Sequence, residues 1–150
     1  GDYGITCTSL ADAAAREGAK GDLGAAWARR YEVTFEFKLT SAGANGTEVE
    51  LYTSQSDSAT AGTNNEGNAT GADAALSSPA ETKQLMTPIG SVPVSNALGT
   101  GTQRKKFEFC PTSRYQIPVV VNRAGVAFSG TAGDTIIVFK PLEELIQETV

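Results

Sequence analysis

A strictly alternating stretch of sequence limits what this chain can fold into. In RYEVTFEFKLTS, apolar side chains recur at every second position from Tyr31 to Leu39, with charged or hydroxyl side chains between them. Successive side chains of a β-strand point to opposite faces of the sheet, whereas the buried face of a helix needs spacings of three and four residues. The alternation therefore predicts a strand with one buried and one solvated side.

Five further strand-like runs follow, separated by turn residues: TEVELYTS, KQLMTPIGSVPVS, RKKFEF, RYQIPVVVNRAGVAFSG and GDTIIVFKPL. The pair Asn45-Gly46 predicts a turn that joins the first strand to the next as a hairpin or meander. Pro88 and Pro93 predict an edge strand or a bulge, because proline cannot donate to a strand ladder. Seven or eight short strands without a recurring helical pattern predict an all-β fold, an antiparallel β-sandwich of jelly-roll type. A chain of 150 residues predicts one domain over residues 1–150.

The first 23 residues form a separate region of the sequence. SLADAAARE is Ala-rich and begins at Ser9, which could serve as an N-cap, but Gly18 and Gly21 limit the helix to fewer than about ten residues. An extended path leading to a strand near residues 19–23 is the alternative. We therefore expect an extended or partly helical N-terminal arm over residues 1–23.

Residues 55–82 contain almost no large apolar side chains and are rich in Gly, Ser, Thr, Asn and Ala. A segment of that composition buries too little surface to build a core of its own. Loops longer than about 12–15 residues are uncommon in compact domains and are usually functional or mobile. The composition predicts a long polar surface loop that contacts a partner or is disordered.

Charge and hydropathy exclude two classes of partner. The net charge is −5 and the isoelectric point is near 4.7, which argues against binding a nucleic-acid backbone. The basic cluster in QRKKFEF is short and fits the polar face or edge of a strand. No apolar run approaches the ~20 residues that a membrane-spanning helix needs, so we expect no membrane partner.

Cys7 and Cys110 are predicted to be buried free thiols, with a disulfide between them as the alternative.

The side chains available for chemistry predict a protein that is not an enzyme. The chain has no histidine, the commonest general base. A pair of carboxylates, as in glycosidases, could be drawn from Glu32, Glu36, Glu48, Glu50 and Asp134. The alternation places Glu32 and Glu36 on the solvated face of a strand. Oxygen ligands for calcium are available at Asp57, Asn64, Asn65, Glu66, Asn68 and Asp73, but their spacing does not match the calcium-loop pattern. We expect no metal and no cofactor.

Several phrases of the sequence resemble small structural proteins of tailed bacteriophages. They are SLADAAAREGAKGDLGA, ARRYEVTFEFKL, ATGADAAL, LMTPIGSVPV and RYQIPVVVNRAGVAFSGTAGDTIIVFKPLEE. In that group Leu-Ala-x-x-Ala-Ala-Arg precedes Asp-Leu-Gly and a Tyr-led strand. A Gly-x-Asp-Ala element, a Val-Val-Val-Asn strand and an Ala-Phe-Ser turn follow. The matching positions here are residues 10–16, 22–24, 31, 71–74, 119–122 and 127–129.

The resemblance implies a capsid decoration, or cement, protein of the virion. Such a protein would bind the outside of the assembled capsid, with the major capsid protein as its partner, after assembly in the host cytoplasm. Self-association as a homotrimer at symmetry axes is expected. The arm, and with it the loop at residues 55–82, would reach the capsid. Predicted contact residues are Tyr3, Ile5, Leu10, Arg16, Leu23, Trp27 and Arg29.

Two other functions fit the same kind of scaffold. A tail or fibre component would also be a β-rich virion protein, found on the tail. A carbohydrate-binding β-sandwich would use Trp27 as a platform on which a sugar ring stacks.

Overall fold

Two antiparallel β-sheets pack face to face in the computed structural model of the protein, which describes residues 3–142. The nine strands within these residues are β1 (Ala15–Glu17), β2 (Gly21–Asp22), β3 (Tyr31–Phe37), β4 (Glu48–Ser56), β5 (Ala74–Leu76), β6 (Thr87–Pro93), β7 (Gln103–Phe109), β8 (Tyr115–Arg123) and β9 (Ile136–Pro141). One helix, α1 (Pro79–Leu85), and a 3₁₀ turn (Asn96–Leu98) lie between strands. Among residues 3–142 no helix is both long and apolar enough to span a membrane.

The larger sheet has the order β5-β1-β8-β4-β6, and β2 pairs with β8 beyond the end of β1. The smaller sheet has the order β7-β3-β9. Each pair of neighbouring strands is antiparallel. This arrangement confirms the all-β sandwich, while the jelly-roll topology stays a prediction.

The alternating stretch forms β3, the central strand of the smaller sheet. Tyr31, Val33, Phe35 and Phe37 are buried and the residues between them are only partly buried, as the pattern predicts. Their side chains fill the space between the two sheets. The Phe37 ring stacks on Phe128 with 5.1 Å between ring centroids. The inter-sheet core is therefore aromatic, and β3 contributes the largest share of it.

The predicted hairpin between β3 and β4 is wrong. Asn45 and Gly46 do form a turn, with Gly46 at φ +90°. Yet β3 pairs with β7 and β9, while β4 pairs with β6 and β8 in the other sheet. The alternation shows which face of a strand is buried, but not whether the next strand along the chain pairs beside it in the same sheet or lies in the sheet across the core. The turn between β3 and β4 therefore crosses from one sheet to the other.

Two edge predictions are confirmed. Strand β6 lies at the edge of the larger sheet, and its register with β4 shifts between Leu51 and Tyr52, so Pro88 and Pro93 occupy an edge strand with a bulge. Strand β7, which carries the basic cluster, is an edge of the smaller sheet. Charged edge strands discourage pairing with other chains.

Residues 3–23, the described part of the N-terminal segment, are extended and contain no helix. Ser9 and Ala13 have φ of +55° and +64°, which a right-handed helix excludes. The Ala13 N–H donates to the carbonyl of Asn122, and the Asn122 N–H donates to the carbonyl of Ala14, which leads the chain into β1 between β5 and β8. The Asn122 side chain also donates to the carbonyl of Leu10 at 3.0 Å. Pairing with β8 thus replaces the helical hydrogen bonds, and the segment is part of the sandwich.

The polar stretch at residues 55–82 folds back over the outer face of the larger sheet. Contrary to its composition, it contributes to a second apolar cluster: Ala69 and Leu76 are buried there with Met86, against the outward-facing side chains of β8. Those side chains, at positions 117, 119 and 121, lie on one face of β8. We call residues 57–86 the outer cover. The cover makes the molecule three layers thick at this point.

Both cysteines are free thiols, so the alternative of a disulfide is wrong. Cys7 is buried in the inter-sheet core, which confirms half of the prediction. Cys110 is exposed, because it follows the last residue of β7 at the end of the sandwich.

Candidate contact surface

Carboxylates are the natural place to look for chemistry in a chain without histidine. Three of the nominated carboxylates form ion pairs at the surface of the smaller sheet: Glu32 with Lys106, Glu36 with Arg104 and Asp134 with Lys38. Glu48 is exposed at the start of β4. Each paired carboxylate sits beside a long cation on a neighbouring strand or loop, which is how a solvated sheet face is usually built.

Glu50 is the one nominated carboxylate that is buried, with 7% of its surface exposed. Its carboxylate lies 2.9 Å from Lys83 Nζ on α1 and 3.5 Å from Arg123 Nε, and it accepts a hydrogen bond from the Tyr52 hydroxyl at 3.0 Å. Burial, together with the hydrogen bond to Glu50, raises the pKa of Tyr52 to about 12. Two cations therefore neutralise Glu50, and the cluster ties α1 to the larger sheet.

Several oxygen-bearing residues of the polar stretch are engaged within the fold, whereas the side-chain oxygens of Asn65 and Asn68 are buried without a hydrogen-bond partner among the described residues. Asp57 accepts from the Asn64 amide at 2.9 Å, and Glu66 accepts from both the backbone and the hydroxyl of Thr87. Glu17, on β1 and 1% exposed, accepts from the backbone and the hydroxyl of Thr70. Among residues 3–142, no three His, Cys, Asp or Glu side chains are grouped so that they could hold a metal ion.

One end of the sandwich gathers loops from distant parts of the chain. Tyr115 at the start of β8 pairs with Asp22 on one side and with Ser56 on the other. The loops at residues 22–30 and 110–114 therefore emerge side by side, next to the point where β4 ends. We call these two loops the contact end.

An ion pair braces the contact end. The guanidinium of Arg114 donates to both carboxylate oxygens of Asp22, at 2.7 and 2.8 Å, and the Leu23 N–H donates to the Arg114 carbonyl at 3.0 Å. The hydrogen bond from Arg114 holds the pKa of Asp22 at about 2. Further along, the Ala28 N–H donates to the Tyr31 hydroxyl at 3.0 Å. The loop is thus held at its beginning and at its end.

Between these two anchors the loop presents an aromatic ring and a cation. Trp27 is 39% exposed, and it is the only exposed aromatic side chain among residues 3–142. Arg29, two positions further on, is exposed and forms no hydrogen bond or ion pair with any residue that the structure describes. Its neighbour Arg30, by contrast, pairs with Glu108 at 2.8 Å.

The seven predicted contact residues fall into three groups. Tyr3 and Leu10 are buried in the inter-sheet core, and their contact with a partner stays a prediction. Ile5, Leu23 and Arg16 are half-buried: the first two pack against the core, and Arg16 forms an ion pair that holds β1 to the outer cover. Trp27 and Arg29 are exposed together on one loop.

Sequence reasoning missed the two residues that brace this loop. Asp22 belongs to an Asp-Leu-Gly phrase, but Arg114 lies 92 positions away in a turn before β8. No local pattern connects a single Asp to a single Arg at that separation. Only the pairing of β2 with β8 brings them together.

Comparison with known proteins adds no relative. No protein-family model matches the chain, and no curated protein matches it.

Proposed function

We propose that the protein is a non-enzymatic structural protein of a bacteriophage virion, which binds the outside of the assembled capsid and stabilises it. The observation that carries the proposal is the exposed Trp27 next to the unpaired Arg29 on a braced loop. The phrases that resemble phage structural proteins supply the partner, the major capsid protein. The sandwich supplies a rigid support for the loop.

Trp and Arg are the side chains most enriched among residues that dominate protein–protein binding energy. A loop that is already ordered loses little conformational entropy on binding. Asp22, Arg114 and Tyr31 order this loop from within the chain. Trp27 would fill an apolar pocket on the capsid, and Arg29 would pair with a carboxylate at its rim.

Self-association would strengthen such a contact. A homotrimer at a symmetry axis presents three copies of the same loop to three equivalent capsid sites. Each additional site binds at a high effective concentration, so modest single contacts add to firm retention.

In this proposal the N-terminal segment supports the fold, whereas its sequence suggests an arm that reaches the capsid. Residues 3–23 supply β1, β2 and buried core side chains, including Tyr3 and Leu10. Deleting them would remove part of the scaffold together with any contact. Substitutions on the exposed loop are therefore the sharper test.

The test is co-sedimentation of the purified chain with assembled capsids of the phage that encodes it, and in parallel with unassembled capsid protein. We expect saturable binding to capsids and little binding to free subunits. The double variant Trp27→Ala/Arg29→Ala should bind capsids at least ~10-fold more weakly. The matched control is Leu98→Ala, which truncates a side chain that is 49% exposed at the opposite end of the sandwich and should leave binding unchanged.

Each outcome decides a separate point. No binding of the wild-type chain to capsids would overturn the capsid function. If Trp27→Ala/Arg29→Ala binds capsids as strongly as Leu98→Ala does, the proposal that the contact end is the binding surface is overturned. Cryo-electron microscopy of the virions separates capsid from tail, because density confined to the tail would favour the tail or fibre function.

A second candidate, carbohydrate binding, is favoured by the same exposed ring. Trp27 is the only tryptophan of the chain, so its fluorescence reports on that position alone. A saturable change in this fluorescence on adding a soluble glycan from the host cell surface, together with no capsid binding, would replace the first proposal with this one.

A further inference from the structure

A single ammonium group lies among four oxygen atoms at the start of the outer cover. Lys20 Nζ is 3.0 Å from Ser56 Oγ, 2.9 Å from the carbonyl of Ser58, 2.7 Å from that of Thr60 and 3.1 Å from that of Thr63. Three of the four are backbone carbonyls from one short stretch. Lys20 itself lies between β1 and β2, so the contact spans about 40 positions of sequence.

The oxygen cluster exceeds what one lysine can use. An ammonium group has three N–H donors and no acceptor, so four oxygens around it share three hydrogens. Converging backbone carbonyls are the ligands with which proteins replace the hydration shell of a monovalent cation. The geometry is thus typical of a cation site in which the cation is the ammonium group of Lys20.

Contacts that do not involve Lys20 help to hold the oxygens in place. Ser56 is 2% exposed, and its hydroxyl lies 2.8 Å from the Thr63 carbonyl and 3.3 Å from the Ser58 carbonyl. The Thr63 N–H donates to the Thr60 carbonyl at 3.1 Å. We call Ser56 together with residues 58–63 the oxygen cage. These contacts would keep part of the cage in shape when the lysine side chain is removed.

We propose that the oxygen cage is a binding site for small monovalent cations of the ammonium class, in which the Lys20 ammonium is the resident cation. A chain whose Lys20 side chain is truncated takes up a free ammonium or primary alkylammonium ion in its place. In the wild-type chain the cage ties the outer cover to the sheet without a metal ion, so chelators leave the cover unchanged. This inference is independent of the proposed capsid function.

Chemical rescue of Lys20→Ala tests the site. n-Propylammonium supplies the three carbons and the nitrogen that this substitution removes. We expect the Tm of Lys20→Ala to lie below that of the wild-type chain and to rise in n-propylammonium chloride, compared with tetramethylammonium chloride at the same ionic strength. Ligand at tenfold excess over its Kd should raise the Tm by roughly 3–6 °C for a domain of this size.

Two controls separate specific binding from a salt effect. Lys20→Met fills the path of the side chain but carries no charge, so its Tm should be the same in both salts. The wild-type chain, whose cage is occupied, should also show no difference. Equal Tm values of Lys20→Ala in the two salts would overturn the proposal, and so would the same rise in all three proteins.

A measurement on the wild-type chain keeps the proposal testable if Lys20→Ala does not fold. Amine acetylation under native conditions, read by mass spectrometry, compares Lys20 with the exposed Lys140. A caged ammonium should react at least ~10-fold more slowly, because it must leave its hydrogen-bond acceptors before it can attack, and this outweighs the partial burial that lowers the pKa of Lys20. Equal rates at the two lysines would refute the cage.

Discussion

The two faces of the larger sheet are covered by different means. The inner face, with Val49, Leu51 and Val120, packs against the aromatic side chains of the smaller sheet. The outer face meets the outer cover, where a small apolar cluster is surrounded by hydrogen bonds that carboxylates such as those of Glu17 and Glu66 accept. A sheet can therefore be buried on both sides even when one of the segments that cover it has almost no large apolar residues.

The packing on the inner face and the outer cover also differ in whether they contribute mainly stability or mainly a defined shape. The free energy of apolar burial is proportional to the buried area and does not depend strongly on the direction of a contact. The inner face therefore contributes mainly to the stability of the fold. Hydrogen bonds contribute little net free energy each but need a defined geometry. The outer cover should therefore be the less stable layer and the more precisely shaped one.

The largest effect should follow from truncating the inner core. Phe35 is fully buried at 0% exposure between the sheets, so Phe35→Ala is expected to lower the free energy of unfolding by about 3–5 kcal/mol. The matched aromatic truncation Trp27→Ala, at an exposed position, should change it by less than ~0.5 kcal/mol. Urea unfolding followed by circular dichroism measures both. Similar losses in the two variants would contradict the assigned core.

A smaller effect should follow from a backbone change in the outer cover. Gly71 has φ +73°, and a Cβ added there would collide with the backbone carbonyl of Ala61. Gly71→Ala should therefore cost about 1–3 kcal/mol. The added Cβ of the control Gly62→Ala meets only the Thr70 carbonyl, at 3.8 Å, so that variant should be close to neutral.

Native-state hydrogen exchange then shows where the Gly71→Ala strain acts. We expect faster exchange at the amides of the outer cover, such as that of Thr70, than at those of β3, because the cover can open while the inner core persists. If exchange is accelerated equally at the amides of the outer cover and of β3, the outer cover and the inner core unfold as one unit.

A pH titration probes the weakest of the structural contacts, the ion pair at the contact end. The pKa of Asp22 falls from 3.8 to about 2 because Arg114 hydrogen-bonds to its carboxylate. A carboxyl group with a lower pKa in the folded than in the unfolded state contributes stability above the unfolded pKa and loses it as pH falls through the folded pKa. The difference in urea midpoint between the wild-type chain and Asp22→Asn should therefore shrink between about pH 4 and pH 2. A difference that stays constant over this range would contradict the ion pair.

Thiol labelling compares the inter-sheet core with the exposed end of the sandwich, without any substitution. Burial raises the pKa of Cys7 to about 12, whereas Cys110 is exposed. Because the thiolate is the reactive form, iodoacetamide at pH 8 should modify Cys110 in the native chain and Cys7 roughly a thousandfold more slowly. Both should react in urea. Rapid native labelling of Cys7 would show that the N-terminal segment opens readily.

Sequence reasoning was most successful where one strand face is buried and the other is solvated. The burial of β3 follows from side-chain period, the edge position of β6 from proline chemistry and that of β7 from its charged residues. It failed for the hairpin. Of the two alternatives for the N-terminal segment, a short helix or an extended path to a strand near residues 19–23, the structure has the extended path with β2. Local propensity favours a hairpin and a helix at these places, and pairing with distant strands overrides it.

The candidate site was only partly accessible from the sequence. Trp27 and Arg29 could be named as contact residues, and they are exposed together. That Tyr3 and Leu10 are core residues could not be foreseen, because their burial depends on where β8 and β9 run. The Asp22–Arg114 brace and the oxygen cage around Lys20 join residues that are distant in sequence and leave no local pattern.

Alternation and turn chemistry act over a few residues, so the amino-acid sequence specifies that the chain forms strands, where most of them lie and which face of β3 is buried. The pairing of the strands, the placement of β3 and β4 in different sheets and the closure of the outer face by residues 57–86 become visible only in the folded molecule. Those outcomes depend on free energies summed over contacts between distant segments. Many different pairings satisfy the same local pattern, so the pattern does not choose among them.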